Sequence, residues 1–572
     1  MNCRRLPRGG FGETKLDEAF LNDSFASAQK GDVLDRNMFG KGAKRVVQDA
    51  RKAILLRARA GQRRRIVCVK ANNAPFAFRF LSQTASLCCG CSVQNSGMEK
   101  NAKPDGHLSS SLWAMKFFEI WSGNMNRRNF VRLALAGTIA TATRKCWGGA
   151  ATTPIGRRSD DFGDDDDLKA RWKRLDSAIR GWWVGDLHHS TENEIRNDPG
   201  GTLLFLPFPY ITAGGSESAF PEIYGWDTQF INLGLLAHDR ADIVRWNILD
   251  QLSMIERFGK VLNGNRTFYA TRGQPPLLAW SVENYLEAHK EDDELAMLAY
   301  PNLERAYREY WNGPDHITPI GLSTCRDSGT GSEFHSEEGP RLSAECEAGL
   351  DFTPIFDGDI RRCVPLHINC ALVRQAQILG ALAERFGWDG KAEGWKKEAG
   401  KRAGLINQYC WDESEGFYFE YDYVRQKRLP FYSLNAYWPL WAGIASKSQA
   451  EGAVSHLKQF DRPYGLTFTD KDYPNPHPEF KDLEWAYPES WPPQQIIVAL
   501  ALKQYGFLDE ARRVNRRYIS NVVTTWEQTG TTWERYNAVL GGYNCPVERT
   551  AVARLHGWSS SSAVVIGRML FS

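Results

Sequence analysis

Apolar residues recur at three-to-four spacing over 371–386, four turns that end at Gly387, the pattern of a helix with one buried face. The same period predicts helices over 494–505, stopped by Gly506, and over 508–526, with Arg512, Arg513, Arg516 and Arg517 on the wet side. Two more fall over 280–288 and 293–311. Strand-like alternation is brief, and 416–422 reads as a hairpin. From 168 to 572 the chain reads as one domain. That exceeds the ~250–300 residues at which a single core stops growing, unless the helices are arranged as a ring. Long helices joined by Pro- and Gly-rich loops therefore predict an all-α fold, paired helices arranged as an α/α barrel, with a few short hairpins. The loops at one end of such a ring would carry the site.

Charge separates the front of the chain from this domain. Residues 1–124 hold 21 Lys and Arg against 10 Asp and Glu, while the remainder holds 50 against 58. No nucleic-acid-binding signature accompanies the basic excess, so no nucleic-acid partner is expected. At Met125 the chain reads Met-Asn-Arg-Arg-Asn-Phe, then a short apolar run to Ala142. This resembles a bacterial twin-arginine export signal. Residues 125–145 are accordingly expected to be the signal peptide, and 1–124 an upstream extension without ordered structure and foreign to the native protein. Residues 146–167, ending in four aspartates, read as a solvated linker. A periplasmic or secreted bacterial protein follows, monomeric and without a membrane partner after signal removal, since no run reaches the ~20 apolar residues of a membrane span. In an oxidising space Cys325–Cys346 or Cys363–Cys370 disulfides are open, although spacing does not settle pairing.

Four stretches set acids beside aromatic rings: Glu222-Ile-Tyr-Gly-Trp-Asp227, Glu347-Ala-Gly-Leu-Asp-Phe352, Glu484-Trp-Ala-Tyr-Pro-Glu-Ser-Trp491 and Thr532-Trp-Glu-Arg-Tyr536. Aromatic faces stack on the C–H faces of a pyranose, and carboxylates hold its hydroxyls or move protons. Cleaving a glycosidic bond needs two carboxyl groups in unlike environments. No metal or cofactor is called for, and no ligand cluster suggests one.

With Asn263-Gly-Asn-Arg266 and Arg272-Gly-Gln-Pro-Pro276, these segments stand in the order found in the trehalase family, glycoside hydrolase family 37, which the chain resembles over about 200–560. The resemblance implies an (α/α)6 barrel and an inverting hydrolase of a small α-linked glucoside, α,α-trehalose first. Asp351 would be the general acid and Glu534 the general base, roughly 6.5–9.5 Å apart to admit the attacking water. Asp227, Asn263, Arg272 and Gln274 would hold sugar hydroxyls, and Trp226, Trp485 and Trp491 would form stacking walls. Phe220, Gly349 and Glu548 complete the expected substrate contacts. The chain departs from the family where a second sugar would sit: Glu484 replaces Gln, Ala486 replaces Asp, and Glu489-Ser490 replaces Asn-Gly. Those departures keep two alternatives open, a family 63-like α-glucosidase or mannosylglycerate-type hydrolase, and a carbohydrate-binding relative without turnover.

Overall fold

The computed structural model describes residues 164–215, 220–327, 339–547 and 551–572. The upstream extension, the export signal and the linker as far as Gly163 lie outside the described residues. The acidic run at the end of that linker opens a helix instead. Helix α1 spans Asp165–Gly185, and the Asp164 side chain accepts from the Asp167 amide, satisfying one of the orphan donors of the first turn. Three aspartates in that turn also suit the positive end of the helix dipole.

The short α2 (Glu192–Asn197) is followed by α3 (Asp227–Ala237), α4 (Ala241–Phe258), α5 (Leu278–Ala288), α6 (Asp293–Arg305) and α7 (Gly339–Glu347). Next come α8 (Leu366–Arg385), α9 (Asp389–Cys410), α10 (Trp438–Trp441), α11 (Lys447–Ser455), α12 (Pro492–Gln504), α13 (Leu508–Thr529) and α14 (Gly557–Phe571). Helices α3, α5, α8, α10, α12 and α14 touch in sequence, and α14 returns to α3, closing a ring of six. Around it α4 lies on α3 and α5, α6 on α5 and α8, α9 on α8, α13 on α12 and α14, and α1 on α14. Helix α11 packs on the strand Phe417–Tyr418 as the sixth outer member. The architecture is an (α/α)6 barrel.

Residue pattern decides the layer. Inner α12 buries ten of its residues from Pro492 to Leu502 and is apolar nearly all round, as a helix enclosed on every side must be. Outer α13 keeps four arginines outside and buries Val514, Tyr518, Ile519, Val522 and Val523 on one face. Each helix expected from periodicity is present, with α6 continued to Trp311 by a π-helical turn. The 416–422 hairpin is not. Phe417–Tyr418 pairs with Trp411–Asp412, and Tyr421–Asp422 pairs with Cys363–Val364 and Lys427–Arg428, so the run serves two small sheets. The disulfides left open are not formed: none of the six described cysteines is in a disulfide, and all six are buried. No described helix is long and apolar enough to cross a membrane.

At the end where inner helices finish, a depression is lined by Arg374, Lys503 and Arg568. Lys503 and Arg568 stand in the last turns of α12 and α14, where cations complement the negative dipole end. The opposite end, where inner helices begin, holds the acids.

Closure of the ring depends on α3 and α14 approaching closely. A Cβ at Gly234 would meet Ser561 Oγ at 2.3 Å and its Cα at 2.9 Å. Ser559 to Ser562 are all fully buried, and Ser561 Oγ donates to the Ile231 carbonyl at 3.1 Å. Ala in place of a mid-helix Gly gains about 1 kcal/mol of propensity, but overpacking against backbone costs about 1–3 kcal/mol. Gly234→Ala is therefore expected to destabilise the protein, read as a lower urea midpoint with an unchanged slope.

Candidate active site

The first acid–aromatic segment, 222–227, is bound to the 263–266 segment. Tyr224 bridges antiparallel to Gly264, and the Gly225 amide donates to the Asn263 carbonyl at 3.1 Å. Arg266 clamps the pair, donating to Glu222 at 2.6 Å and to Asp198 at 2.8 Å. Glu222 is thus a structural acid rather than a sugar contact. The Gln274 side-chain oxygen accepts from the Trp226 amide at 2.9 Å, so that oxygen is committed to holding α3's entry. Asp227 then stands at the first position of α3, facing the ring axis.

The second, 347–352, leaves α7 and turns at Gly349, where φ is +69° and a Cβ would lie 2.7 Å from the Trp226 indole. Only glycine fits both conditions. His367 of α8 donates to the Ala348 carbonyl at 2.9 Å, and burial pushes its pKa down to about 4, which keeps the ring neutral. Asp351 follows in a loop outside any helix, so it is not a helix cap.

The last two segments meet through the antiparallel pair Glu489–Ser490 and Tyr536–Asn537. That pairing delivers Arg535 into a nest of carboxyl groups. Its guanidinium lies 3.0 Å from Glu489, 3.1 Å from Glu484 and 2.5 Å from Glu534. Arg535 is fully buried and its pKa is raised: burial opposes its charge, but the three acids outweigh that penalty. Burial pushes the Glu489 carboxyl well above the usual range even with Arg535 beside it. Burial likewise raises Glu534; Arg535 pulls against that, the Asp351 charge adds to it, and the net direction is upward.

These pieces enclose one cavity of ≈280 Å³ at the end where inner helices begin. Eleven of the twelve residues expected at the site line it: Phe220, Trp226, Asp227, Asn263, Arg272, Gln274, Gly349, Asp351, Trp485, Trp491 and Glu534. Glu548 lies outside the described residues. Tyr224, Tyr269, Cys346, Glu484, Leu555 and Trp558 also line the cavity. Tyr224 and Glu484 belong to segments already singled out. Trp558 opens a serine-rich helix with no acid beside it, so the acid–aromatic pattern passes over it.

The tryptophans pack on each other more than expected of open walls. Trp485 and Trp491 stack at 3.7 Å and 8°, each giving one face to the other. Trp558 meets Trp226, Trp485 and Trp491 edge-on at 6.0–6.4 Å. This aromatic block excludes water from the neighbouring acids. Asp227 is pushed up to about 8 by burial first and then by the charges of Glu534 and Asp351. The N-terminus of α3 favours the carboxylate by ~0.3–2 kcal/mol. Full burial can shift a carboxyl by up to ~3–5 pKa units at about 1.4 kcal/mol each. Desolvation wins.

A family profile described as Trehalase matches residues 157–345 and 344–568. The cytosolic neutral trehalase of Kluyveromyces lactis is 28% identical over 404 residues, 60% of this chain and 52% of that protein. The cytosolic neutral trehalase of Beauveria bassiana is 28% identical over 421 residues, 62% of this chain and 56% of that protein. The chain thus spans about half the length of the curated relatives it matches. Among solved structures, neutral trehalase Nth1 from Saccharomyces cerevisiae aligns with a TM-score of 0.56 at 24% identity, over 64% of this chain and 74% of that one, a likeness of fold. The relatives are cytosolic proteins of fungi, which overturns the expectation of a periplasmic or secreted bacterial protein.

The Asp227 environment carries a cost that stability can report. Its folded-state pKa of about 8 lies above the unfolded 3.8, so over that window the folded form keeps a proton the unfolded form has lost. Stability therefore falls as pH rises from about 4 to 8. Asp227→Asn, which mimics the neutral acid, is expected to gain on the parent across this window, by at most about 1.4 kcal/mol per pH unit. Urea unfolding at pH 4.5, 6 and 7.5 checks this, and a constant difference would refute it.

Proposed function

The chain belongs to the trehalase family, and from that premise we propose that it hydrolyses α,α-trehalose to two glucose molecules with inversion at the attacked carbon. The observation that carries the proposal is that Asp351 and Glu534, from segments 183 residues apart in the chain, line the same tryptophan-walled cavity. Water attacks the anomeric carbon as Glu534 takes its proton. The bond from that carbon to the bridging oxygen breaks, and Asp351 delivers its proton to the departing oxygen. Asp227, Asn263, Arg272 and Gln274 hold hydroxyls, with Arg272 offering a planar fork of donors. The aromatic block keeps bulk water out, so the charges that develop are opposed by fixed groups rather than by solvent. Phe220, Gly349 and the tryptophans shape the walls.

Proton NMR of trehalose hydrolysis tests the reading. β-Glucose is expected ahead of mutarotation, one β- and one α-glucose per trehalose cleaved. Asp351→Asn and Glu534→Gln are each expected to lower kcat by about 10²–10⁴-fold. Because the Glu534 pKa is raised above 4.5 and the base must be ionised, kcat/KM is expected to fall as pH drops through a value above 4.5. Intact trehalose with another α-glucoside cleaved would shift the substrate, in line with Glu484 in the cavity wall. Sugar binding without any hydrolysis would defeat the proposal.

A further inference from the structure

The last turn of α7 holds two acids that neither line the cavity nor reach solvent. Glu345 and Glu347 are both fully buried. The Glu347 carboxylate accepts four hydrogen bonds. One oxygen takes the Tyr310 hydroxyl and the Gly273 amide, the latter at 2.9 Å. The other takes His316 Nε2 at 2.9 Å and the Arg326 amide at 2.8 Å. Gly273 lies between Arg272 and Gln274. Arg326 precedes Asp327, whose carboxylate lies 3.6 Å from the Arg272 guanidinium. One carboxylate therefore fixes both the backbone that carries Arg272 and the acid that faces it.

Glu345 points to the other side. One of its oxygens accepts from the Thr353 amide at 2.9 Å, and the second lies 3.3 Å from His477 Nε2. His477 Nδ1 lies 2.8 Å from Arg341, which donates to Gly358 O at 2.9 Å. Between Asp351 and Thr353, Phe352 stacks on Phe480 at 4.6 Å. The chain just after Asp351 is thus held by a buried polar chain on one side and an aromatic pair on the other.

We propose that these two carboxylates are positioning residues with separate charges: Glu347 sets Arg272 for sugar binding, and Glu345 sets Asp351 for proton transfer. The inference rests on the hydrolase reading of the cavity. Its physical basis is acceptor count. An ionised carboxylate offers about four lone-pair sites, and Glu347 uses four. Glutamine at 347 would turn an amide group toward donors, leaving at least one buried N–H or O–H unmatched. The Glu347 environment agrees: burial pushes its pKa up, but His316, Tyr310 and the Arg326 amide pull harder, and it lies below the ordinary value. A core acid that only holds the fold would affect binding and turnover alike.

The test uses the full chain and trehalose. Glu347→Gln is expected to raise KM about 10–100-fold with kcat within about 3-fold, and Glu345→Gln to lower kcat about 10–100-fold with KM within about 3-fold. In an Arg272→Lys background, Glu347→Gln is expected to add less than about 2-fold, because both act on one contact. Tyr310→Phe and His477→Gln, milder changes on the same two networks, are expected to repeat the split in smaller measure if either glutamine variant fails to fold. Equal effects on kcat and KM in both series, or a Glu347→Gln penalty that multiplies with Arg272→Lys, would overturn the proposal. If the parent chain turns over no trehalose, the hydrolase reading fails instead. Calorimetric trehalose affinity then decides the positioning claim, weakened by Glu347→Gln and kept by Glu345→Gln if it holds.

Discussion

Arg535 is the contact on which the site depends. Four acids gathered in a water-poor pocket repel one another and lose hydration, and a fully buried carboxylate without a partner would take up a proton. One guanidinium with five donors in a rigid fork can answer several carboxyl groups at once. Arg535 does so for Glu484, Glu489 and Glu534. Lysine, a single flexible point charge, could not hold three acids in fixed directions. Burial first, and then the charges of the neighbouring acids, keep Glu489 and Glu534 raised even so.

The barrel makes that cluster tolerable. Its inner helices begin at the acidic end, where Asp227 takes the first position of α3, while Lys503 and Arg568 stand at the opposite ends. Each terminus contributes little, ~0.3–1 kcal/mol at an exposed site, and Asp227 shows that burial outweighs it. The site is therefore strained electrostatically where chemistry is proposed, and the surrounding apolar ring supplies the stability. Trp226 joins the two parts: it packs in the core against Phe230 and stands in the cavity wall.

Order around the site is graded. Glu222, Arg266 and Gln274 hold segments together, His367 holds the exit of α7, and the acids face inward only because those ties are made first. Glu345 and Glu347 sit two positions apart in one helical turn yet serve different loops, since successive side chains of a helix point in different directions. Such division lets one short helix of nine residues govern two sides of a pocket.

The sequence by itself determined the helices and their layers. Periodicity is local, and the stops at Gly387 and Gly506 are written in single residues with positive φ. The acids and tryptophans of the site were also legible, because sugar chemistry demands those residue types in short, dense runs. Tertiary structure alone decided which acids line the cavity and which hold its frame. Glu222 and Glu347 look like Asp227 and Asp351, their neighbours in the chain, but the first is bound to Arg266 and the second to four donors from three other segments. Trp558 entered the cavity wall, and 416–422 divided between two sheets, for the same reason. A residue's role there depends on partners dozens to hundreds of positions away, which no local pattern contains.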